Sequence, residues 1–284
     1  MSPHTHNRAQ RNQLLQQLQA DSRALLRDTS GRIVIDNAAS TGQHAFQAIL
    51  ATFLMSTSSR PHVLEASNGM SMASTSAYVN TVISHPDRLD IHTNTASRVA
   101  SRILPLVTDG HGLSGIPGLR LQCLNKRRLR LVHLPTGGRV DLIDAGASPT
   151  RRREDFMKHL RRETRWHHKP GTTPLWELSE VHPAEELLAQ HWQARPCMLL
   201  RSALMARVLL LWGDQYIRPS WNENSLTGHP ELSWDSAYDR PGAHVVGAAL
   251  TQTPAAIPGA RYEPVYVSRG LLSLASATIA LHSH

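Results

Sequence analysis

The sequence predicts an α/β protein with a mainly parallel sheet, and two observations carry that class. Residues 62–66, HVLEA, read as a short buried strand opening into a loop, SNG; strand-like RLDIHT and a helical stretch at 95–104 follow. Strand, loop, helix, strand, helix is the order of an α/β unit with parallel neighbours. Strand candidates then return at 231–235 and 272–276, after a strongly basic middle region. One sheet interrupted by a largely helical insertion is the expected architecture.

The elements follow in chain order. Leu14, Leu15, Leu18 and Leu25 recur at near-helical spacing within residues 8–27, predicting an amphipathic N-terminal helix that Gly31 interrupts. A second helix is expected after Thr41, with Phe46, Ile49, Leu50, Phe53 and Leu54 on one apolar face. Polar STSSRP ends it before HVLEA. Residues 74–84 are expected to be helical, RLDIHT a strand, and 95–104 a helix with Val99, Ile103 and Leu104 inward. LRLVHLPTGGRVDLI alternates on both sides of PTGG and reads as a β-hairpin. Residues 150–166, TRRREDFMKHLRRETRW, form a basic helix with a thin apolar stripe of Phe156, Met157 and Leu160. Helices are expected at 184–193 and 198–211, then a loop-heavy stretch over 214–260, then YEPVYV and LLSLASAT as strands. Trp212, Trp221 and Trp234 are expected to fill a core. The implied division is an N-terminal helical segment (1–40), the first part of the sheet domain (41–111), a basic helical insertion (112–225) and the second part of the sheet domain (226–284).

Composition narrows the partners. A 284-residue chain with 40% hydrophobic residues can bury one large core or two modest ones, which excludes wholesale disorder. The formal charge of +8 favours an anionic partner, most often nucleic acid, over a merely soluble basic protein. Lys126, Lys158 and Lys169 are the only lysines; the other cations are arginines, whose planar forks suit phosphates and base edges. Cys123 and Cys197 are too few for a disulfide framework or a four-thiolate iron–sulfur cluster. No apolar run approaches the ~20 residues of a membrane span, and MSPHTHNRAQRNQ lacks the apolar core of a secretory signal. A reducing, cytoplasmic setting is expected.

The densest chemical signal is the arginine-rich stretch over 125–169. It holds Arg127, Arg128, Arg130, Arg151, Arg152, Arg153, Arg161, Arg162 and Arg165, with Trp166 beside them. Guanidiniums at this density can contact phosphates while a tryptophan stacks on a base; the alternative is a solvated helix face. The seventeen histidines read as surface groups, because neither HExxH nor a paired Cys/His spacing occurs and adjacent His167 and His168 diverge on a helix. No Ser-His-Asp or Cys-His arrangement has supporting local sequence, and GLSGIPG is not a nucleophile elbow.

A series of short segments is similar, in order, to the first motor lobe of DinG-type superfamily 2 DNA helicases, the branch that includes XPD and the CRISPR-associated CasDinG proteins. TGQHAFQAILATFL resembles the glutamine motif, with Gln43 at the adenine-reading position. HVLEASNG resembles the approach to a Walker A loop, and LDIHTNTASRVASRILPL the segment whose TNT touches single-stranded DNA, here Thr93, Asn94 and Thr95. TRWHHKPGTTPLWEL looks like part of the family's insertion, LSWDSAYD stands where Walker B belongs, and LASATIA resembles the coupling S-A-T, here Ser276, Ala277 and Thr278. The resemblance implies a P-loop, RecA-like parallel sheet, ATP and Mg2+ as cofactors, 5′-to-3′ unwinding, and single-stranded DNA or a CRISPR effector complex as partner.

The residues of the implied ATP site depart from that pattern. Gly69 keeps the first glycine of the phosphate loop, but Ser71 replaces the second, Met72 the lysine and Ala73 the magnesium-binding hydroxyl. Asp235 remains as an implied metal ligand, yet Ser236 replaces the water-activating glutamate and Tyr238 the histidine. The sequence stops just past S-A-T, where a second motor lobe would begin. The expectation is a helicase-type lobe that binds single-stranded DNA with a degenerate ATP site; the alternative is a non-enzymatic nucleic-acid-binding scaffold or assembly partner.

Overall fold

The computed structural model describes residues 39–55, 78–108, 112–125, 128–144, 153–167, 171–186, 200–204, 207, 220–222, 229–234, 242–252 and 256–284. The expected helix at 8–27, strand at 62–66, and phosphate-loop residues Gly69, Ser71, Met72 and Ala73 lie outside them, as do Arg127, Arg151, Arg152, Asp235 and Ser236.

Helix α1 (Thr41–Met55) forms where the apolar spacing places it, and buries Phe46, Ile49, Leu50 and Leu54. Strands β1 (Val79–Ser84) and β2 (Leu89–Thr93) pair antiparallel, and helix α2 (Ala96–Ile103) follows with Val99 and Ile103 buried. After β3 (Leu106–Thr108) and β4 (Gly112–Ser114), the strands β5 (Leu119–Leu124), β6 (Arg128–His133) and β7 (Gly138–Asp144) run as an antiparallel meander. Strand β7 then lies parallel to β2, giving a five-stranded sheet in the order β1-β2-β7-β6-β5.

Helix α3 (Arg153–His167) follows, then β8 (Thr172–Pro174), which completes a small sheet with β3 and β4. The last part builds a second five-stranded sheet from β9 (Ser220–Asn222), β10 (Glu231–Trp234), β11 (Arg261–Tyr266), β12 (Arg269–Leu274) and β13 (Ala277–Ser283), with helix α4 (Ala243–Gln252) between β10 and β11. Its order is β11-β12-β13-β10-β9, and only β10 and β13 are parallel. Apolar residues of both large sheets and of helices α1 to α4, among them Phe46, Leu142, Leu160, Val246 and Leu281, belong to one contiguous buried cluster.

The class is α/β as expected, but the strands are mostly antiparallel. The expected strands at 89–93, 231–235 and 272–276 do not share a sheet: β2 belongs to the first, β10 and β12 to the second. The reason lies in the connections. Short turns such as 134–137 can join only antiparallel neighbours, and a parallel pair needs a long crossover. Only the β2-to-β7 and β10-to-β13 connections supply one among the described strands.

Three local expectations change. Residues 79–84, expected to be helical, are strand β1; Val79, Thr81, Val82 and Ile83 are β-branched and fit a pleated surface. Within 112–144, part of the expected helical insertion, the described residues form strands β4 to β7 and their turns, and β7 sits at the centre of the first sheet. The loop-heavy stretch contains helix α4, whose AHVVGAALTQ buries Ala243, Val246 and Leu250 at helical spacing.

The PTGG hairpin is confirmed, and α1 docks directly on it. A Cβ at Gly138 would meet the Phe46 side chain at 2.4 Å, and one at Gly42 would meet the Thr136 carbonyl at 2.2 Å. Both positions need the bare backbone for this approach.

Candidate nucleic-acid interface

Strand alternation divides the first sheet into two unlike faces. Leu89 and Ile91 of β2 and Val140 and Leu142 of β7 turn to the core side, which α1 covers through Phe46 against Gly138. The intervening residues, Asp90 and His92 of β2, Asp141 of β7, and Arg128 and Arg130 of β6, project from the opposite face. Register brings them side by side: Asp90 is opposite Asp141, and Asp141 is opposite Arg130.

Two carboxylates on adjacent strands would repel, and arginines resolve the conflict. Arg130 forks onto Asp141, with Nε 2.7 Å from Oδ1 and Nη2 2.8 Å from Oδ2. Arg128 Nη1 lies 3.3 Å from Asp141 Oδ2, and Arg88 Nε lies 3.6 Å from the same oxygen. Arg88 Nε also donates to Asp90 Oδ1 at 2.9 Å, while His85 Nε2 is 3.1 Å from Oδ2. Asp141 is fully buried beneath guanidiniums that remain partly exposed; 38% of the Arg128 side chain reaches solvent. Arg88 Nη1 also donates to the exposed Asp87 Oδ1 at 3.3 Å, so the three guanidiniums meet three carboxylates, two of them buried. Burial holds the His92 imidazole below the ordinary histidine range; Asp90 pulls it up, and Arg128 and His85 push it further down.

Helix α3 presents a second basic surface. Phe156, Leu160 and Glu163 are buried, and Arg98 Nε of α2 lies 3.4 Å from Glu163 Oε2. Lys158, Arg161 and Arg162 point away and are exposed. The thin apolar stripe read from the sequence is therefore the packing face, and the solvent face carries these basic residues together with the exposed Glu154 and Asp155. Arg161 makes one exposed 3.4 Å contact with Glu177, which costs little to exchange for another anion.

Not every arginine is available to a ligand. Arg120 and Glu185 form a closed pair: Nη1 donates to Oε1 at 2.9 Å and Nη2 to Oε2 at 2.5 Å, with both side chains buried. The Gly118 and His182 N–H groups complete the carboxylate, each at 2.7 Å. Burial alone would raise the Glu185 carboxyl, but the hydrogen bonds from Arg120, Gly118 and His182 outweigh it and hold it below the ordinary range. This pair ties residues 180–186 to β5.

The residues singled out in the sequence are scattered. Gln43 is buried, and its amide donates to the Arg139 carbonyl at 3.0 Å while accepting from the Arg139 N–H at 2.8 Å. An amide so occupied is not offered to an adenine. Thr93 is fully buried, and its hydroxyl finds no partner among the described residues. Asn94 is exposed, and Thr95 is the N-cap of α2, without a side-chain cap bond. Ser276 lies in the β12–β13 turn, Ala277 is buried at the start of β13, and Thr278 Oγ1 is 3.0 Å from Ser273 Oγ. Arg153 begins α3 and Trp166 lies near its end. Among the described residues, Arg128 and Arg130 are the arginines of that stretch whose side chains join the charged sheet face.

Sequence reasoning missed Arg88, Asp90 and Asp141, because their convergence depends on β2 pairing with β7. It also missed Glu231, His282 and His284, although H-x-H at the end of a strand was a usable signal, since residues two apart share a face. No protein-family model matches this sequence, and neither a curated protein nor a solved structure shows significant similarity to it.

Proposed function

We propose that this chain binds nucleic acid through its phosphate backbone and does so without turning over nucleotide. The observation that supports this reading is the outer face of the first sheet, where Arg88, Arg128 and Arg130 stay partly exposed above the buried carboxylates of Asp90 and Asp141. Asp141 orients the forks, and a guanidinium has five N–H donors, so an arginine can hold a carboxylate and still donate to a phosphate. The exposed Lys158, Arg161 and Arg162 of α3 and the +8 formal charge add long-range attraction. Labelled single-stranded DNA titrated over a salt series is the test. Affinity should fall steeply with salt, and the Arg88→Gln, Arg128→Gln double variant should bind more weakly with a shallower slope. If single-stranded DNA, duplex DNA and RNA all fail to bind at low salt, the reading is wrong.

A second reading, a DinG-type helicase lobe, rests on the order of TGQ, HTNT, WDSAYD and SAT along the chain. The ATP site it implies does not fit the residues present. Gln43 spends its amide on Arg139, Met72 supplies no charge, and Ser236 cannot activate water. Absence of DNA-stimulated ATP hydrolysis favours the binding module, and robust turnover by the pure chain favours the helicase lobe.

A further inference from the structure

The second sheet carries a side-chain cluster that the nucleic-acid reading does not use. We propose that Glu231, His282 and His284 bind one divalent transition-metal ion, of the zinc class. His282 and His284 are two apart along β13 and its continuation, so both imidazoles project from the same face. Parallel pairing sets Glu231 of β10 opposite Ala280, one same-face step from His282. The backbone is held on both strands: β10 and β13 are paired through Ser283, and the His284 N–H donates to the Trp234 carbonyl at 2.8 Å.

The geometry fits a small ion. One ligand atom from each residue lies within 4.8 Å of the other two, and Glu231 Oε1 is 3.5 Å from His282 Nδ1. Tetrahedral zinc bonds of ~2.0–2.1 Å separate neighbouring ligands by about 3.3 Å, so His282 and Glu231 already stand near coordination spacing. The two imidazole centroids are 4.1 Å apart, close enough for a small rotation of His284 to close the set. Two imidazoles and one carboxylate suit zinc, copper, nickel or cobalt, whereas magnesium and calcium prefer oxygen ligands alone.

Arg269 defines the rest of the site. It pairs with His282 across β12 and β13, and its Nη2 donates to Glu231 Oε2 at 2.9 Å. That leaves Oε1 turned to His282 and fixes the carboxylate, the orienting role that outer partners play around metals. Glu231 is buried and His284 exposed, so the ion would sit at the surface with one position open to water.

Zinc titration of the full chain, followed by calorimetry and by the visible spectrum of a cobalt substitute, tests the site. One equivalent should bind, and His284→Ala and Glu231→Gln should each weaken binding by about tenfold or more. His284 is exposed, so its replacement leaves the core intact even if Glu231→Gln disturbs the Arg269 pair. His244→Ala, at an exposed histidine on α4 that is not one of the three ligands, should bind as the parent does. The proposal is overturned if the parent takes up no zinc, or if His284→Ala and the double variant His282→Ala, His284→Ala keep the parent's affinity and cobalt spectrum.

Discussion

Two arginine–carboxylate arrangements in this chain use the same chemistry for opposite ends. At Arg120 and Glu185 the pair is closed: both side chains are buried, and the carboxylate accepts from the guanidinium and from the Gly118 and His182 N–H groups. At Arg88, Arg128 and Arg130 the arrangement is open, with two buried carboxylates beneath three guanidiniums that still reach solvent. A closed pair can only hold structure, because both of its side chains are buried away from any ligand. An open one can hold structure and donate outward. Burial, more than arginine count, separates the two.

The largest effect should come from breaking the closed pair. Glu185→Gln leaves a buried guanidinium without its counter-charge, a change that costs about 3–5 kcal/mol. Chemical denaturation should show that loss, while any chain that remains folded should bind DNA as the parent does. A cost below about 1 kcal/mol would place Glu185 with ordinary surface pairs and break the comparison.

Acid should find the same neighbourhood next. His133 is buried, stacked on Phe46 at 5.3 Å, with Nε2 2.9 Å from the Pro117 carbonyl and Nδ1 2.8 Å from the Thr136 hydroxyl. Burial lowers its pKa from 6.5 to about 4, against the Pro117 carbonyl and Glu185, which raise it, and with Arg120, which lowers it. Between those values the unfolded chain carries a proton that the folded chain refuses, so stability rises with pH across the window. The full span corresponds to about 3 kcal/mol. Glu185, held below the ordinary carboxylate range, adds stability that is present above that range and lost as pH falls through its folded value. Unfolding free energies from pH 7 down to pH 4 should therefore fall, and His133→Gln should flatten the slope. An unchanged slope would mean that the acid response lies elsewhere.

The contrast was only partly legible in the sequence. Helical spacing placed Phe46, Ile49 and Leu50, the PTGG turn placed the β6–β7 hairpin, and Phe156 with Leu160 marked the packing face of α3. These signals are local. The strand pairing was not legible, because a β-branched run such as VNTVIS does not say which strand it will meet. The candidate site failed for the same reason. Asp90 and Asp141 are 51 residues apart and become neighbours only when β7 pairs with β2. Arg127, Arg128 and Arg130 were visible as charge, but nothing local said that Arg130 would be spent on Asp141.

Removing the carboxylate from the open arrangement should separate its two tasks. Asp141→Asn weakens the hydrogen bonds from Arg130, which as charge-assisted bonds are worth about 1.5–3 kcal/mol, and removes the ion pair with Arg128. The same change raises the net charge of the face by one. Stability should therefore fall while DNA affinity at low salt is kept or increased, a combination that simple unfolding does not produce. Parallel losses of stability and affinity would show that the arginines need Asp141 in order to reach a phosphate.

The smallest effect on stability should come from Arg128→Gln. Its guanidinium touches Asp141 at 3.3 Å, but Arg130 already satisfies both oxygens of that carboxylate, and the Arg128 side chain is 38% exposed. A partly exposed pair of this kind contributes about 0–1 kcal/mol, so the denaturation midpoint should hardly move. Binding should respond instead. One phosphate contact on a single strand contributes about −0.7 to the slope of log affinity against log salt, and its loss should flatten the slope by that amount for unrelated DNA sequences. A variant with parent-like stability, affinity and salt slope would remove Arg128 from the interface and leave the open face as a solvated ion cluster.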